Sequence, residues 1–229
     1  LFAQKIMLPD KVFLLRGNHE VKVVNVPFPL SPHIQGCDHY YGNRCLLGQL
    51  KERFAENVAY MVMMLLLRDS QLWEETNRVF DYLPLAATID DVIFCVHGGI
   101  PRPLSPTESA LDSINMIPCP TAVRVAATDA RSKQIKQLSN DLLWSDPMDG
   151  TGRQPSRREA GTMFGQDVTE RFLKENNLKL LVRSHEVKMG GYEVQHGISF
   201  VVGIGGLTAR KVHHHLLCAQ LLRHHGECG

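Results

Sequence analysis

Three stretches of the chain repeat one pattern of apolar and polar positions. Residues 11–20 (KVFLLRGNHE), 90–99 (DDVIFCVHGG) and 178–186 (LKLLVRSHE) each carry a short run rich in β-branched residues and leucine, and each run closes on a histidine beside a small or polar residue. Runs of this kind, bounded by glycine and polar clusters, predict buried strands that end in loops. Between them the apolar positions recur at helical spacing over residues 45–58 (CLLGQLKERFAENV), 69–84 (DSQLWEETNRVFDYLP) and 166–178 (QDVTERFLKENNL), with Asp167 or Thr169 as the start of the last helix. Strand and helix alternate, so the expected class is α/β or a mixed sandwich. The longest apolar run, residues 58–67 (VAYMVMMLLL), is about half of the roughly 20 residues that a bilayer-spanning helix needs, and predicts a buried helix. The proline-rich residues 26–35 (VPFPLSPHIQ) read as an insertion, and no repeat at a solenoid period is present.

Composition narrows the class without naming a function. With 229 residues, 44% of them hydrophobic and 21% charged, the chain can bury a core of its own. A formal net charge of +1 gives no electrostatic footprint for nucleic acid or for an anionic membrane, so neither is an expected partner. Cys37, Cys45, Cys95, Cys119, Cys218 and Cys228 are scattered without CxxC spacing, which favours reduced thiols and an intracellular setting, cytoplasmic or nuclear. The N-terminal LFAQKIMLPDKVFLL lacks the basic start, apolar stretch and cleavage site of a signal peptide.

The candidate chemistry lies at the ends of the three predicted strands. A single histidine is more often structural than a ligand, but three at the same position of three similar units are harder to set aside. Neutral imidazoles and a side-chain amide oxygen suit Mn, Fe or Zn, and loops at strand ends are where a rigid sheet can aim them. Asn18 stands next to His19, so one side chain can face a metal and its neighbour a substrate. The pattern suggests a metal-assisted hydrolase.

Residues 14–20 (LLRGNHE), 77–103 (NRVFDYLPLAATIDDVIFCVHGGIPRP), 141–147 (DLLWSDP) and 180–186 (LLVRSHE) follow one another in the order of the sequence blocks of a known family. On these four blocks the chain resembles the metal-dependent serine/threonine protein phosphatases of the phosphoprotein phosphatase family, from residue 8 to about 197. Residues 164–197 are most similar to its type 5 subgroup. The resemblance implies a calcineurin-like metallophosphatase fold, a central mixed β-sandwich flanked by helices, truncated at its N-terminus. It implies that Asn18, His97 and His185 ligate the second ion of a two-metal centre (Mn, Fe or Zn) and that His19 is the general acid for the departing serine or threonine oxygen. Arg158 falls where the family grips phosphate, with Arg157 as the alternative because Glu159 replaces the usual glycine. Asp146 resembles an acidic residue beside the site and not a ligand. Phosphoprotein substrates and regulatory subunits or domains are the implied partners.

Two metals roughly 3.5 to 4 Å apart can activate a water for in-line displacement, arginine offers a planar fork to phosphoryl oxygens, and a placed acid contributes about 10²–10⁴-fold. The family builds its first metal site from aspartates and a histidine in "GDxHG" and "GDxVDRG" blocks that precede the GNHE loop, and this sequence starts after them. The expectation is that the 229-residue chain alone is not an active phosphatase; a catalytically dead phosphatase-like binding module is the competing reading. Metal-dependent turnover by the purified chain would refute both.

The same resemblance divides the chain into a partial catalytic domain, residues 1–197, and an atypical tail, residues 198–229. Residues 26–35 begin with valine and end with glutamine, which fits an unspliced intron with GT and AG borders as well as a natural loop insertion. Codons can be assigned to residues 212–229 (VHHHLLCAQLLRHHGECG) that, shifted by one nucleotide, read CTTTFSAPNYCDTMGNAG and contain the family's "FSAPNYCD" loop. The histidines and cysteines of the tail are then a product of reading frame, a question the genomic DNA decides. The other reading, a zinc site with spacings such as Cys218 to His224, lacks a paired finger-like pattern.

Overall fold

The computed structural model describes residues 1–22, 24–25, 61–105, 107–121, 129–158, 160–197 and 200–203, with the backbone alone for 61–70 and 200–203. Helix α1 (Phe2–Met7) leads to a 3₁₀ turn at Asn18–Glu20. After α2 (Met61–Phe80) come β1 (Ala86–Ile89), β2 (Ile93–Val96), α3 (Ala110–Asn115) and α4 (Ala130–Trp144). Three short strands follow, β3 (Asp146–Pro147), β4 (Arg153–Pro155) and β5 (Thr162–Phe164), and then α5 (Gln166–Glu175), β6 (Leu180–Arg183), β7 (Tyr192–Gln195) and β8 (Phe200–Gly203). The strands form a five-stranded sheet in the order β1-β2-β6-β8-β7 and a three-stranded sheet in the order β3-β5-β4. Both sheets mix parallel and antiparallel pairs, as expected of the α/β class.

Two of the three apolar runs became strands, and their pairing places the site. β2 and β6 lie side by side and parallel, with Cys95 opposite Val182 and Val96 opposite Arg183. The residues that follow both strands therefore emerge at one edge, and Ser184 N–H donates to His97 O at 3.2 Å across the gap. Alternation in β2 buries Phe94 and Val96. Leu181 of β6 joins them in the core with Leu142 and Leu143 of α4, Phe164 of β5, and Val168 and Phe172 of α5. Phe94 meets Phe172 edge-on, with ring centroids 5.0 Å apart.

The first run departs from expectation. Residues 12–17 belong to no strand, and Phe13 is 76% exposed. Apolar composition predicts the tendency to pair, whereas a strand needs a partner along its length; among the described residues the link is one bond, Arg16 N–H to Pro84 O at 2.9 Å. The segment is anchored by a side chain instead. Buried Arg16 donates to Asp81 Oδ1 and to Thr121 O, both at 2.7 Å, and to Glu20 O at 3.0 Å.

Helix α5 also starts earlier than predicted. Its N-cap is Gly165, not Asp167 or Thr169. The Asp167 carboxylate accepts from Gly152 N–H at 2.7 Å, outside the helix, and the Thr169 hydroxyl meets His196 Nδ1 at 2.9 Å. Gly165 suits the position because a Cβ there would lie 2.3 Å from Gly150 O. The sequence reading named none of α1, β1, α3, α4, β3, β4, β5, β7 and β8; the start of α4 is signalled by Asp129, whose Oδ1 accepts from Ser132 N–H at 2.9 Å.

Residues 61–67 of the long apolar run open α2, and no helix among the described residues is long and apolar enough to cross a membrane. The predicted helix at 45–58 and the proline-rich 26–35 lie outside the described residues, as do 204–229 of the tail. Within residues 198–229, β8 pairs in parallel with β6 and antiparallel with β7, so the larger sheet runs past residue 197.

Close backbone approach fixes the loop after β2. Gly98 N–H donates to Leu142 O at 2.7 Å, and a Cβ on Gly98 would sit 2.6 Å from the carbonyl carbon of Leu143. Backbone cannot swing aside as a side chain can. Gly98→Ala is expected to cost about 1–3 kcal/mol in urea unfolding, as overpacked cores do. Lys133→Ala on the exposed face of α4 should stay within about 0.5 kcal/mol of the parent.

Candidate active site

The shared edge of β2 and β6 brings His97 and His185 together, and the 3₁₀ turn supplies Asn18. His97 Nε2 lies 2.8 Å from Asn18 Oδ1 and 3.0 Å from His185 Nδ1. The two rings meet edge-on at 4.9 Å between centroids, and Trp144 flanks His185 at 5.8 Å. On the far side of His97, Ser184 Oγ is 3.0 Å from Nδ1. Gly17 lets the turn approach this closely: its N–H donates to Glu20 Oε2 at 2.9 Å, and a Cβ there would stand 2.5 Å from that oxygen and 3.2 Å from the His97 ring. His185 holds a left-handed φ of +61°, uncommon for a residue with a side chain.

Burial and charge keep both rings neutral. Burial pushes His97 down to about 4, helped by the Arg183 charge and opposed by Asp146. His185 is pushed to about 3, again by burial first, with Asp146 opposing and the charges of Arg158 and Arg183 reinforcing. Asp146, in β3, is held below its ordinary value: burial acts to raise it, but the hydrogen bond from Arg158 and the charges of Arg183 and Arg158 prevail.

His19, next to Asn18 in the turn, is half-buried. Burial lowers its pKa while the Glu20 charge raises it. Its carbonyl is held by a buried amide network. Asn25 Nδ2 donates to His19 O at 3.1 Å and to Asn77 Oδ1 at 2.9 Å, and Trp73 Nε1 donates to Asn25 Oδ1 at 2.7 Å.

Arg158 reaches the cluster through Asp146, which accepts from its Nε at 2.7 Å; the Arg158 side chain is 43% exposed. Arg157 instead lines an open groove of about 700 Å³ with Met148, Gln154 and Glu193. The sequence reading missed Arg16 and Arg183, both buried and each two residues before a predicted ligand, Asn18 or His185. A charged residue closing an apolar run was the available signal.

Asn18 Oδ1 and His185 Nδ1, both able to act as metal donors, approach a third such atom, His97 Nε2. A proton on His97 Nε2 can be shared by the other two. The same tautomers leave His185 Nε2 buried without a hydrogen-bond acceptor, Asp146 Oδ1 standing 3.8 Å away. Two neutral imidazoles and an amide oxygen match the donor preferences of Mn, Fe or Zn, and the separations from His97 Nε2, 2.8 and 3.0 Å, are short enough for these atoms to share one ion. These residues fit one divalent ion. Among the described residues no group of three or more His, Cys, Asp or Glu has metal-binding spacing, so the amide is needed to complete the set.

The family model for calcineurin-like phosphoesterases matches residues 1–189. The chain is 36% identical over 197 residues to serine/threonine-protein phosphatase 5 of Arabidopsis thaliana, covering 86% of this chain and 28% of that protein. It is 35% identical over 199 residues to serine/threonine-protein phosphatase 5 of Homo sapiens, covering 86% and 31%. A solved structure of a protein serine/threonine phosphatase from Saccharomyces cerevisiae with similarity to human phosphatase PP5 superposes with a TM-score of 0.61 at 26% identity, over 90% of this chain and 51% of that one. The chain thus spans less than a third of these two curated relatives.

Because His97 and His185 resist protonation when folded, the unfolded chain takes up protons first as pH falls below about 6.5. Urea stability is expected to be level above pH 7.5 and to decline from about 6.5 toward 4. In NMR titration the two ring C–H resonances should hold neutral-imidazole shifts down to about pH 5; a midpoint near 6.5 for either ring would contradict the burial account.

Proposed function

Because this chain belongs to the calcineurin-like phosphoesterase family, we propose that it carries one metal site and the leaving-group side of the active centre of a protein-serine/threonine phosphatase, a hydrolase of phosphoserine and phosphothreonine. The observation that carries the reading is the meeting of Asn18 Oδ1, His97 Nε2 and His185 Nδ1 within 3.0 Å of one another's shared centre atom, His97 Nε2, with Arg158 tethered beside them by Asp146. The likeness to type 5 phosphatases over 86% of the chain supports the substrate class.

In this reading Asn18, His97 and His185 hold one of two divalent ions, Mn, Fe or Zn. The ions supply Lewis acidity toward phosphoryl oxygens and a more acidic water. The protein's own groups do the rest. Arg158 is held through Nε by Asp146 Oδ2, a grip that orients the planar guanidinium while its two terminal nitrogens face phosphoryl oxygens. Asp146 is ionised at neutral pH and balances the positive charge around it. His19 donates the proton that the departing serine or threonine oxygen requires. Burial disfavours its protonated form, so a nearby carboxylate must sustain it, and Glu20 acts in that direction. Ser184 completes the set by fixing the plane of the His97 ring. Phosphoproteins are the proposed substrates, with regulatory subunits or domains as further partners.

Calorimetric titration of the 229-residue chain with MnCl₂ tests the donor set. About one Mn²⁺ per chain is expected, with affinity reduced at least about tenfold in His97→Ala and in His185→Ala. Binding that is unchanged in both variants would sink the assignment. For a polypeptide extended N-terminally with the family's GDxHG and GDxVDRG blocks, phosphopeptide binding without turnover would favour the inert binding module.

A further inference from the structure

The Arg183 side chain is fully shielded from solvent, at 0% exposure. Its guanidinium is surrounded by acceptors from three segments. Nε donates to Gly98 O, Nη1 to Glu186 Oε2 at 2.6 Å, and Nη2 to Asp146 Oδ1 at 2.7 Å and Ser145 O at 3.2 Å. Gly98 follows His97 in the chain, Ser145 and Asp146 follow α4, and Glu186 follows His185.

We propose that Arg183 is the positioning residue of this site, the group that sets the two metal-facing imidazoles and the phosphate-facing arginine relative to one another. The proposal rests on the reading of Asn18, His97 and His185 as donors to one ion and of Arg158 as the phosphate grip.

Three observations carry it. The first is the division of Asp146: Arg183 takes Oδ1 and Arg158 takes Oδ2, both at 2.7 Å. Turning the carboxylate to satisfy one arginine displaces the other, so the orientation of Arg158 depends on Arg183. The second is the loop at His185. The bond from Arg183 to Glu186 spans the left-handed residue between them, and Glu186 N–H closes back onto Ser184 O at 2.7 Å. A conformation disfavoured for a side-chain-bearing residue persists where its surroundings over-determine it. The third is the grip on Gly98 O, which ties the end of β2 to the end of β6 beyond their last register pair. Only a planar, multi-donor cation can serve these acceptors together; a lysine ammonium concentrates its donors on one atom. Burying a charged pair is also poor value as stability alone, since well-packed apolar residues often do as well.

Arg183→Lys keeps the charge and loses the fork. In the metal-free variant, NMR should show loss of the NOE between the His97 and His185 rings, and calorimetry should show Mn²⁺ bound about 10–100-fold more weakly, the range typical of groups that orient ligands. Both are measured at a temperature where the melting curve shows the variant folded, because a merely structural role would lower the midpoint and leave affinity and ring contact intact. Parent-like affinity and a retained NOE overturn the proposal. If Arg183→Lys does not fold, Glu186→Gln carries the test, with a smaller loss of Mn²⁺ affinity in the same direction supporting the proposal and no loss overturning it. If the parent itself binds no Mn²⁺, the metal reading fails and the NOE alone decides: lost in the variant, positioning stands; kept, it falls.

Discussion

The parallel pairing of β2 with β6 is the constraint on which the site depends. Parallel neighbours send their C-terminal ends the same way, and the register of Val96 against Arg183 makes the next residues meet at one height. His97 and His185 are 88 positions apart in the chain and 3.0 Å apart in space for that reason. A slip of one residue would turn every side chain of the strand to the opposite face and separate the imidazoles. The alternation that buries Phe94, Val96 and Leu181 opposes such a slip, so apolar packing protects polar chemistry.

Around this edge the fold pairs arginines with carboxylates, at least one partner of each pair being buried. Arg16 pairs with Asp81, Arg102 with Asp141, and Arg183 with Asp146. Taking a charge out of water costs several kcal/mol, which mutual attraction offsets only in good geometry. Their common feature is reach: Arg16 joins the turn bearing Asn18 to the loops at Asp81 and Thr121, and Arg102 binds Asp141 through backbone and side chain. They serve as directional ties between segments that, among the described residues, no strand pairing joins.

Much of this was legible in the sequence, and what was not has physical causes. The strand ends at His97 and His185 were readable because an apolar run broken by a histidine and a small or polar residue is a local signal. Residues 12–17 misled because composition records a tendency to pair and says nothing about a partner strand. β1, with the small residues Ala86 and Ala87, carries little apolar contrast. Asp167 looked like a cap because cap residues are recognised by type, whereas its carboxylate is used by Gly152 from another loop. Arg158 was placed by its resemblance to a family position, and the structure adds the Asp146 tether. Arg183 escaped since a charged residue next to a predicted loop reads as solvated until the acceptors around it are known.

The hydroxyl of Ser184 has one further consequence. With a proton on His97 Nε2, Nδ1 accepts and Ser184 donates to it. A cation at Nε2 requires the other tautomer, in which Nδ1–H donates and the Ser184 oxygen accepts across the same 3.0 Å. A hydroxyl can do either by rotating its hydrogen. On the proposed donor reading, an ion at Nε2 therefore asks the Ser184 hydroxyl only to rotate its hydrogen, and the Ser184–His97 contact serves either tautomer.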